Sequence, residues 1–398
     1  LKLHPPLFFA VCNTLKEIFE EKQHADKVIE RILKSNQRWG ARDRAFIAQN
    51  TYDIVRNWRL VTELIPKKSN DKYAAAFAVW FYLIGEDLPD WEEYQGVNKG
   101  DVLKGYQKLR KIRAIRESVP DWLDKMAQQE LGNRWETELI ALNQQAPLVI
   151  RVNTLKTSVR QVIAWLKTEG LGFSTHADVP EALILDERIN LFRTELFKEG
   201  WVEVQDASSQ RVAHFCDVEP GMRVIDACAG GGGKSLHLAA LMKNKGRIVA
   251  MDVEEWKLKN LRQRFRRAGI DIIETKVIEG AKTIKRLKNT ADRLLLDVPC
   301  SGLGVLKRNP DAKWKLSPES IEQVIATQRE ILGSYHTMVK PGGKMIYVTC
   351  SILPSENIKQ VEWFLAQNQD FHLDEYQEIW PSDGFDGFFM AILTKKAK

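Results

Sequence analysis

Leu294-Leu295-Leu296-Asp297-Val298-Pro299-Cys300-Ser301-Gly302 is the stretch on which the fold of this chain turns. A continuous apolar run before a turn suits a strand covered on both faces, the kind that builds a parallel sheet. Pro299 lacks a backbone donor and belongs at a strand end, not inside a ladder. Gly302 and Gly304 permit tight backbone at the exit. The stretch therefore sets a carboxylate, a rigid proline and a thiol at one sheet edge. Met345-Ile346-Tyr347-Val348-Thr349-Cys350-Ser351 reads the same way, as an apolar strand ending in a thiol. Two strand ends that each carry a cysteine imply paired thiols over one pocket.

Around these stretches, from about Cys216 onward, strand and helix patterns alternate. Strands are expected at 223–228, 247–251, 272–278, 293–298, 344–349 and 389–394. Helices are expected at 234–242, 254–268, 281–287, 318–339 and 355–367. Such alternation predicts a doubly wound, Rossmann-like, mainly parallel sheet. Pro341-Gly342-Gly343 reads as a tight turn between the long helix and the Cys350 strand.

The first of these strands runs into Asp226-Ala227-Cys228-Ala229-Gly230-Gly231-Gly232-Gly233-Lys234-Ser235, a glycine loop at a helix start. Glycines let backbone approach a ligand, and a helix N-terminus offers free amides. The loop is not the phosphate-binding G-x-x-x-x-G-K-[ST], whose first glycine would stand at Cys228. The second strand ends at Asp252, where a carboxylate can accept from both hydroxyls of a ribose. Loop and carboxylate together point to an adenosine-containing cofactor and leave open which one.

Upstream, residues 1–143 read as a helical domain, with apolar residues such as Leu15, Ile18, Val28, Ile29 and Ile54 at helical spacing. Lys104, Lys108, Arg110, Lys111, Arg113 and Arg116 form a basic cluster, either a solvated helix face or a phosphate-contacting one. Residues 144–215 read as a small α+β domain opening on the strand Leu148–Val152. Arg151 and Asn153 alternate with apolar residues and share one face of that strand, which reads as solvent-facing. Residues 216–398 form the doubly wound domain.

The chain has 398 residues, 44% hydrophobic and 28% charged, ordinary for a globular protein of two or three domains. A net charge of +6 is compatible with a nucleic-acid partner without requiring one. The five cysteines, Cys12, Cys216, Cys228, Cys300 and Cys350, include no C-x-x-C pair, so no metal is expected. Their odd, widely spaced set argues against a disulfide framework and for a reducing cytoplasm. Cys12 and Cys216 read as small buried hydrophobes. No apolar run is long enough to span a membrane, and the apolar stretch at 6–12 is too short and too soon followed by charge for a secretory signal. The chain begins at Leu1, which reads as a trimmed start.

With the glycine loop through Lys234, Asp297-Val298-Pro299-Cys300 and Thr349-Cys350-Ser351 in one order, the chain resembles the RsmB/Sun family of RNA (cytosine-5) methyltransferases. Arg151-Val152-Asn153-Thr154-Leu155-Lys156, Gln205-Asp206-Ala207-Ser208-Ser209, Arg308-Asn309-Pro310-Asp311, Ser355-Glu356-Asn357 and Asp386-Gly387-Phe388-Phe389 extend the likeness over about residues 120–398. It departs from the family pattern at Gly231, where proline is common, and at Glu279, where aspartate is usual. The resemblance implies S-adenosylmethionine as cofactor, held by Cys228, Ala229, Gly230, Gly231, Gly232, Gly233, Lys234, Asp252, Glu279 and Asp297. It implies Cys350 as nucleophile, Cys300 as the group that assists proton removal and release, and Asp297 and Lys234 as their partners at the base. Phe388 and Phe389 read either as a stacking face for that base or as core strand aromatics. Arg151, Asn153, Lys156 and Arg308 would contact RNA, and the helical region resembles the RNA-binding, NusB-like part of the family. The expected protein is a monomer acting on RNA, small-subunit ribosomal RNA by analogy, with transfer RNA as the alternative. Three rivals stand beside it. A non-catalytic RNA-binding protein would not need both cysteines and Asp297. A nicotinamide dehydrogenase would not need strand-end thiols. An amino-group methyltransferase would present an N/D-P-P-aromatic run, which 297–300 does not match.

Overall fold

A computed structural model describes residues 3–397, which gather into two compact units. One comprises the chain up to Gln144 together with Leu306–Pro318. The other comprises Gln145–Val305 and everything from Glu319 onward.

The first unit is helical. Its central helix, Lys72–Leu83, starts where the Asp71 carboxylate accepts the amides of Tyr73 and Ala74, satisfying two of the donors a helix start leaves free. Tyr73 through Val79 are all buried, so this helix is covered on every side. Phe8, Val11, Leu15, Ile47 and Ile54 fill the core around it. The segment 306–318, which the sequence reading gave to the doubly wound domain, belongs here. Its Lys313 is buried and donates to the Arg56 carbonyl (2.8 Å) and to Asn143 Oδ1 (3.2 Å). Burial, then the nearby Arg56 charge, lowers the Lys313 pKa to about 7. Trp314 Nε1 donates to the Val55 carbonyl at 2.7 Å, and Asp311 accepts the Ala25 amide at 3.1 Å.

The second unit holds two sheets. β1 (Leu148–Val152), β2 (Phe173–Thr175), β3 (Ala182–Leu185) and β4 (Val202–Val204) form an antiparallel sheet in the order β2-β3-β1-β4. The larger sheet contains β5 (Arg223–Asp226), β6 (Arg247–Asp252), β7 (Ile273–Val277), β8 (Ala291–Asp297), β9 (Val339–Thr349), β10 (Phe371–Ile379) and β11 (Phe388–Lys395). Its order is β10-β11-β9-β8-β5-β6-β7, parallel from β9 to β7 and antiparallel at β10 and β11. Strand order reverses between β5 and β8, which opens a crevice at their carboxyl ends. Leu294, Leu295 and Leu296 are fully buried at the middle of this sheet, so the apolar run is indeed covered on both faces.

Two details differ from the sequence reading. β10 was not expected: its central residues are polar and exposed, as suits an edge strand, and its pairing with β11 slips between Leu373 and Glu375. Pro341-Gly342-Gly343 is not a turn before β9 but lies within it. Pairing with β8 jumps from Ala291↔Val339 to Arg293↔Lys344, so the triplet is taken up as a bulge.

Candidate active site

The loop after β5 runs directly into the helix Gly233–Leu241. Gly232 has φ +79°, and a Cβ there would fall 2.0 Å from Leu261 Cδ1. Gly232→Ala is therefore expected to cost about 2–3 kcal/mol of stability, from backbone strain and overlap together. Thermal melting measures that loss, and calorimetry should show cofactor affinity falling more than tenfold. Asp252, at the end of β6, holds the loop from the other side. Its Oδ2 accepts the Gly230 amide (2.9 Å) and its Oδ1 the Glu254 amide (2.9 Å). Beyond it opens a cavity of about 570 Å³ lined by Val253, Glu279, Gly280, Ile284, Ser334 and Tyr335, among others. Under the loop, Asp226 Oδ2 accepts from Ser235 Oγ at 2.6 Å, while the buried Oδ1 has no partner. Burial pushes the Asp226 carboxyl up to about 7. Burial, then Asp226, Asp297 and Asp252, pushes the Cys228 thiol well above its ordinary value.

The ends of β8 and β9 lie side by side, and the turns after them bring Cys300 Sγ to 3.3 Å from Cys350 Sγ. Both cysteines keep partial exposure. Lys234 Nζ donates to Asp297 Oδ2 at 2.6 Å and sits 5.2 Å from the centre of the Phe388 ring. Burial opposes the Lys234 charge, but Asp297 and, less strongly, Cys350 outweigh it and raise its pKa. The contact with Cys350, then burial, holds the Cys300 thiol protonated well beyond its usual range. One cationic amine, one carboxylate and two thiols thus converge where the β5 loop meets the β8 and β9 ends. Such a group can add a thiol to an electron-poor ring and move a proton beside it.

The sequence has clear relatives among known proteins. Residues 213–394 match the 16S rRNA methyltransferase RsmB/F family, and residues 119–191 match the ferredoxin-like domain of RsmF/B-like methyltransferases. A probable ribosomal RNA small subunit methyltransferase B from Synechocystis is 32% identical over 96% of this chain and 93% of its own. The chain belongs to the RsmB/F family. A ribosomal RNA small subunit methyltransferase B from Klebsiella pneumoniae is 37% identical over 70% of this chain and 66% of its own. Among solved structures, that of PH0851 superposes with a TM-score of 0.85 at 28% identity, over 99% of this chain and 100% of that one. A methyltransferase homologue from Pyrococcus horikoshii gives 0.63 at 28% identity, over 71% of this chain and 97% of that one.

The cofactor of this methyltransferase is S-adenosylmethionine. The site fits it: the loop opens the helix Gly233–Leu241, whose first-turn amides lack intrahelical partners, Asp252 has acceptor capacity left for a ribose, and Glu279 lines the cavity beyond. When bound, S-adenosylmethionine supplies an electrophilic methyl group.

Other expected residues land elsewhere. Arg151 and Asn153 do not face solvent. They are buried, and contact with RNA is corrected to a structural role. Arg151 Nη1 donates to Gln205 Oε1 (2.6 Å) and to the Gly233 carbonyl (2.7 Å), tying the small sheet to the first residue of the loop helix. Burial lowers its pKa to about 10. Asn153 Nδ2 donates to the carbonyls of Gly200 (2.8 Å) and Ala268 (2.9 Å). Alternation put both on one face, but it could not show that helices of the larger sheet cover that face. Lys156 is exposed, with Nζ donating to the Glu199 carbonyl at 3.0 Å. Arg308 is partly buried in the segment carried by the helical unit. Phe389 is fully buried and Phe388 nearly so, under Lys234, so neither offers a free face to a base. Glu181 Oε1 bonds His214 Nε2 (2.8 Å) and His237 Nε2 (2.5 Å), a convergence that cysteine spacing does not reveal. No helix among the described residues is long and apolar enough to cross a membrane.

Proposed function

We propose that this chain transfers a methyl group from S-adenosylmethionine to carbon 5 of a cytosine in small-subunit ribosomal RNA, through a covalent adduct with Cys350. The observation that supports it best is the 3.3 Å approach of two thiols beside the Lys234–Asp297 pair. Carbon 5 of cytosine is a poor nucleophile. Addition of the Cys350 thiolate to carbon 6 makes carbon 5 enamine-like, able to take a methyl group from a sulfonium. Asp297 hydrogen-bonds the base near its ring and amino nitrogens and stabilises the charge that develops there. Lys234 holds Asp297 in place and puts positive charge near the attacking sulfur. Cys300 assists removal of the carbon 5 proton, after which the Cys350–carbon 6 bond breaks and the ring regains aromaticity. The helical region to about residue 143, the region 144–215, Lys156 and Arg308 serve RNA binding in this reading. The relatives support it, being named as ribosomal RNA small subunit methyltransferases.

Bisulfite sequencing of total RNA from cells with and without the gene tests the assignment at single-base resolution. One protected cytosine in small-subunit ribosomal RNA should disappear with the gene. Loss of a protected cytosine in transfer RNA instead would move the substrate. No loss at any cytosine would defeat the assignment to carbon 5.

A further inference from the structure

Cys300 and Cys350 stand in the same short setting: Cys300-Ser301-Gly302-Leu303 follows β8, and Cys350-Ser351-Ile352-Leu353 follows β9. In each, the serine oxygen accepts the amide of the leucine two residues on, Leu303 to Ser301 at 3.3 Å and Leu353 to Ser351 at 3.2 Å. Each hydroxyl then has its proton free to donate outward. Both donate to the same atom, Glu356 Oε1, each at 2.5 Å. Glu356 Oε2 accepts the Ser301 amide at 2.7 Å and Gln328 Nε2 at 3.1 Å. The same Gln328 nitrogen donates to the Pro299 carbonyl at 2.9 Å, just before Cys300. Glu356 is fully buried, and its own backbone is held: its amide donates to Leu353 O (3.0 Å) and its carbonyl accepts from Tyr347 Oη (2.7 Å).

Burying a carboxylate is costly unless its acceptor sites are filled, and here donors from both turns fill them. The strands themselves do not settle the thiol spacing. Their ladder ends where the Val298 amide meets Val348 O. Beyond it the turns are joined by the Gly304 amide to Cys350 O, by a 3.2 Å contact between the Ser301 and Ser351 hydroxyls, and by this carboxylate, which holds both hydroxyls at once. A satisfied buried network of this kind specifies one geometry where apolar packing would tolerate several.

We propose that Glu356 is a positioning residue that sets the separation of the two thiols by yoking Ser301 to Ser351. Its consequence for turnover rests on the reading of Cys300 and Cys350 as the reacting pair. The yoke itself is measurable without RNA. Diamide takes two hydrogens from a close thiol pair and leaves a disulfide, and peptide mass mapping identifies the Cys300–Cys350 link. In the full chain, Glu356→Gln keeps the shape but puts an amide donor where an acceptor stood, facing other donors. Its linking rate should fall at least tenfold. Its kcat should fall at least tenfold too, with KM for S-adenosylmethionine unchanged. Ser351→Ala, which removes one donor and leaves the carboxylate its other partners, should slow linking about threefold; it carries the test if the Glu356 variant does not fold. A folded Glu356→Gln, or failing that a folded Ser351→Ala, that links and turns over at the parent rate overturns the proposal. Failure of the thiol-pair reading looks different: Cys350→Ala would still methylate, while slow linking in the Glu356 variant would still report the yoke.

Discussion

Cys350→Ala is expected to abolish methyl transfer to RNA, with a loss of roughly 10⁴-fold or more, the scale typical of removing a covalent nucleophile. No neighbouring group replaces the lost sulfur. Cys300 stands 3.3 Å away, but its thiol is held protonated by Cys350 itself and by burial. Removing Cys350 relieves the first cause and leaves the second. Lys234, which feels the Cys350 charge, would keep its partner Asp297 at 2.6 Å, so the site should not collapse. The variant should accordingly bind S-adenosylmethionine as tightly as the parent by calorimetry, while tritium transfer from labelled donor to RNA falls to background. Transfer at even a tenth of the parent rate would show that Cys350 is not the attacking sulfur.

Cys300→Ala should give the opposite signature. Attack by Cys350 and methylation at carbon 5 proceed, but proton removal and release lose their assistant. Enzyme should then accumulate on RNA, visible as a slowly migrating band on a denaturing gel that nuclease digestion removes. Multiple turnover should drop by roughly 10²–10⁴-fold, the usual contribution of a positioned proton-transfer group. About one methyl group per enzyme would still be transferred in a single burst. The double variant should show neither band nor burst, since the adduct requires Cys350. If the two single variants exchanged signatures, the roles of the two sulfurs would be reversed while the reaction class stood.

The site was legible in the sequence to the extent that its chemistry sits on strand ends. Asp297, Cys300 and Cys350 each follow an apolar run, and in a parallel sheet those runs must finish at the same edge. Lys234 and Asp252 were legible for the same reason, through β5 and β6. Glu356 was not read as part of the site. It lies in a loop after β9, and its carboxylate matters because two serines 50 residues apart both donate to it. The repeated Cys-Ser-x-Leu was the available signal, since it sets a hydroxyl after each thiol in the same local turn.

The sequence by itself determined the doubly wound sheet, the glycine loop and the convergence of two thiols. Those follow from hydrophobic periodicity and local backbone chemistry, which act within one element at a time. Only the tertiary structure decided that Arg151 and Asn153 brace the fold, that 306–318 joins the helical unit, and that β10 closes the sheet edge. In each case the outcome depends on what covers a polar residue or an exposed strand. A neighbour distant in sequence supplies that cover, and no local pattern encodes it.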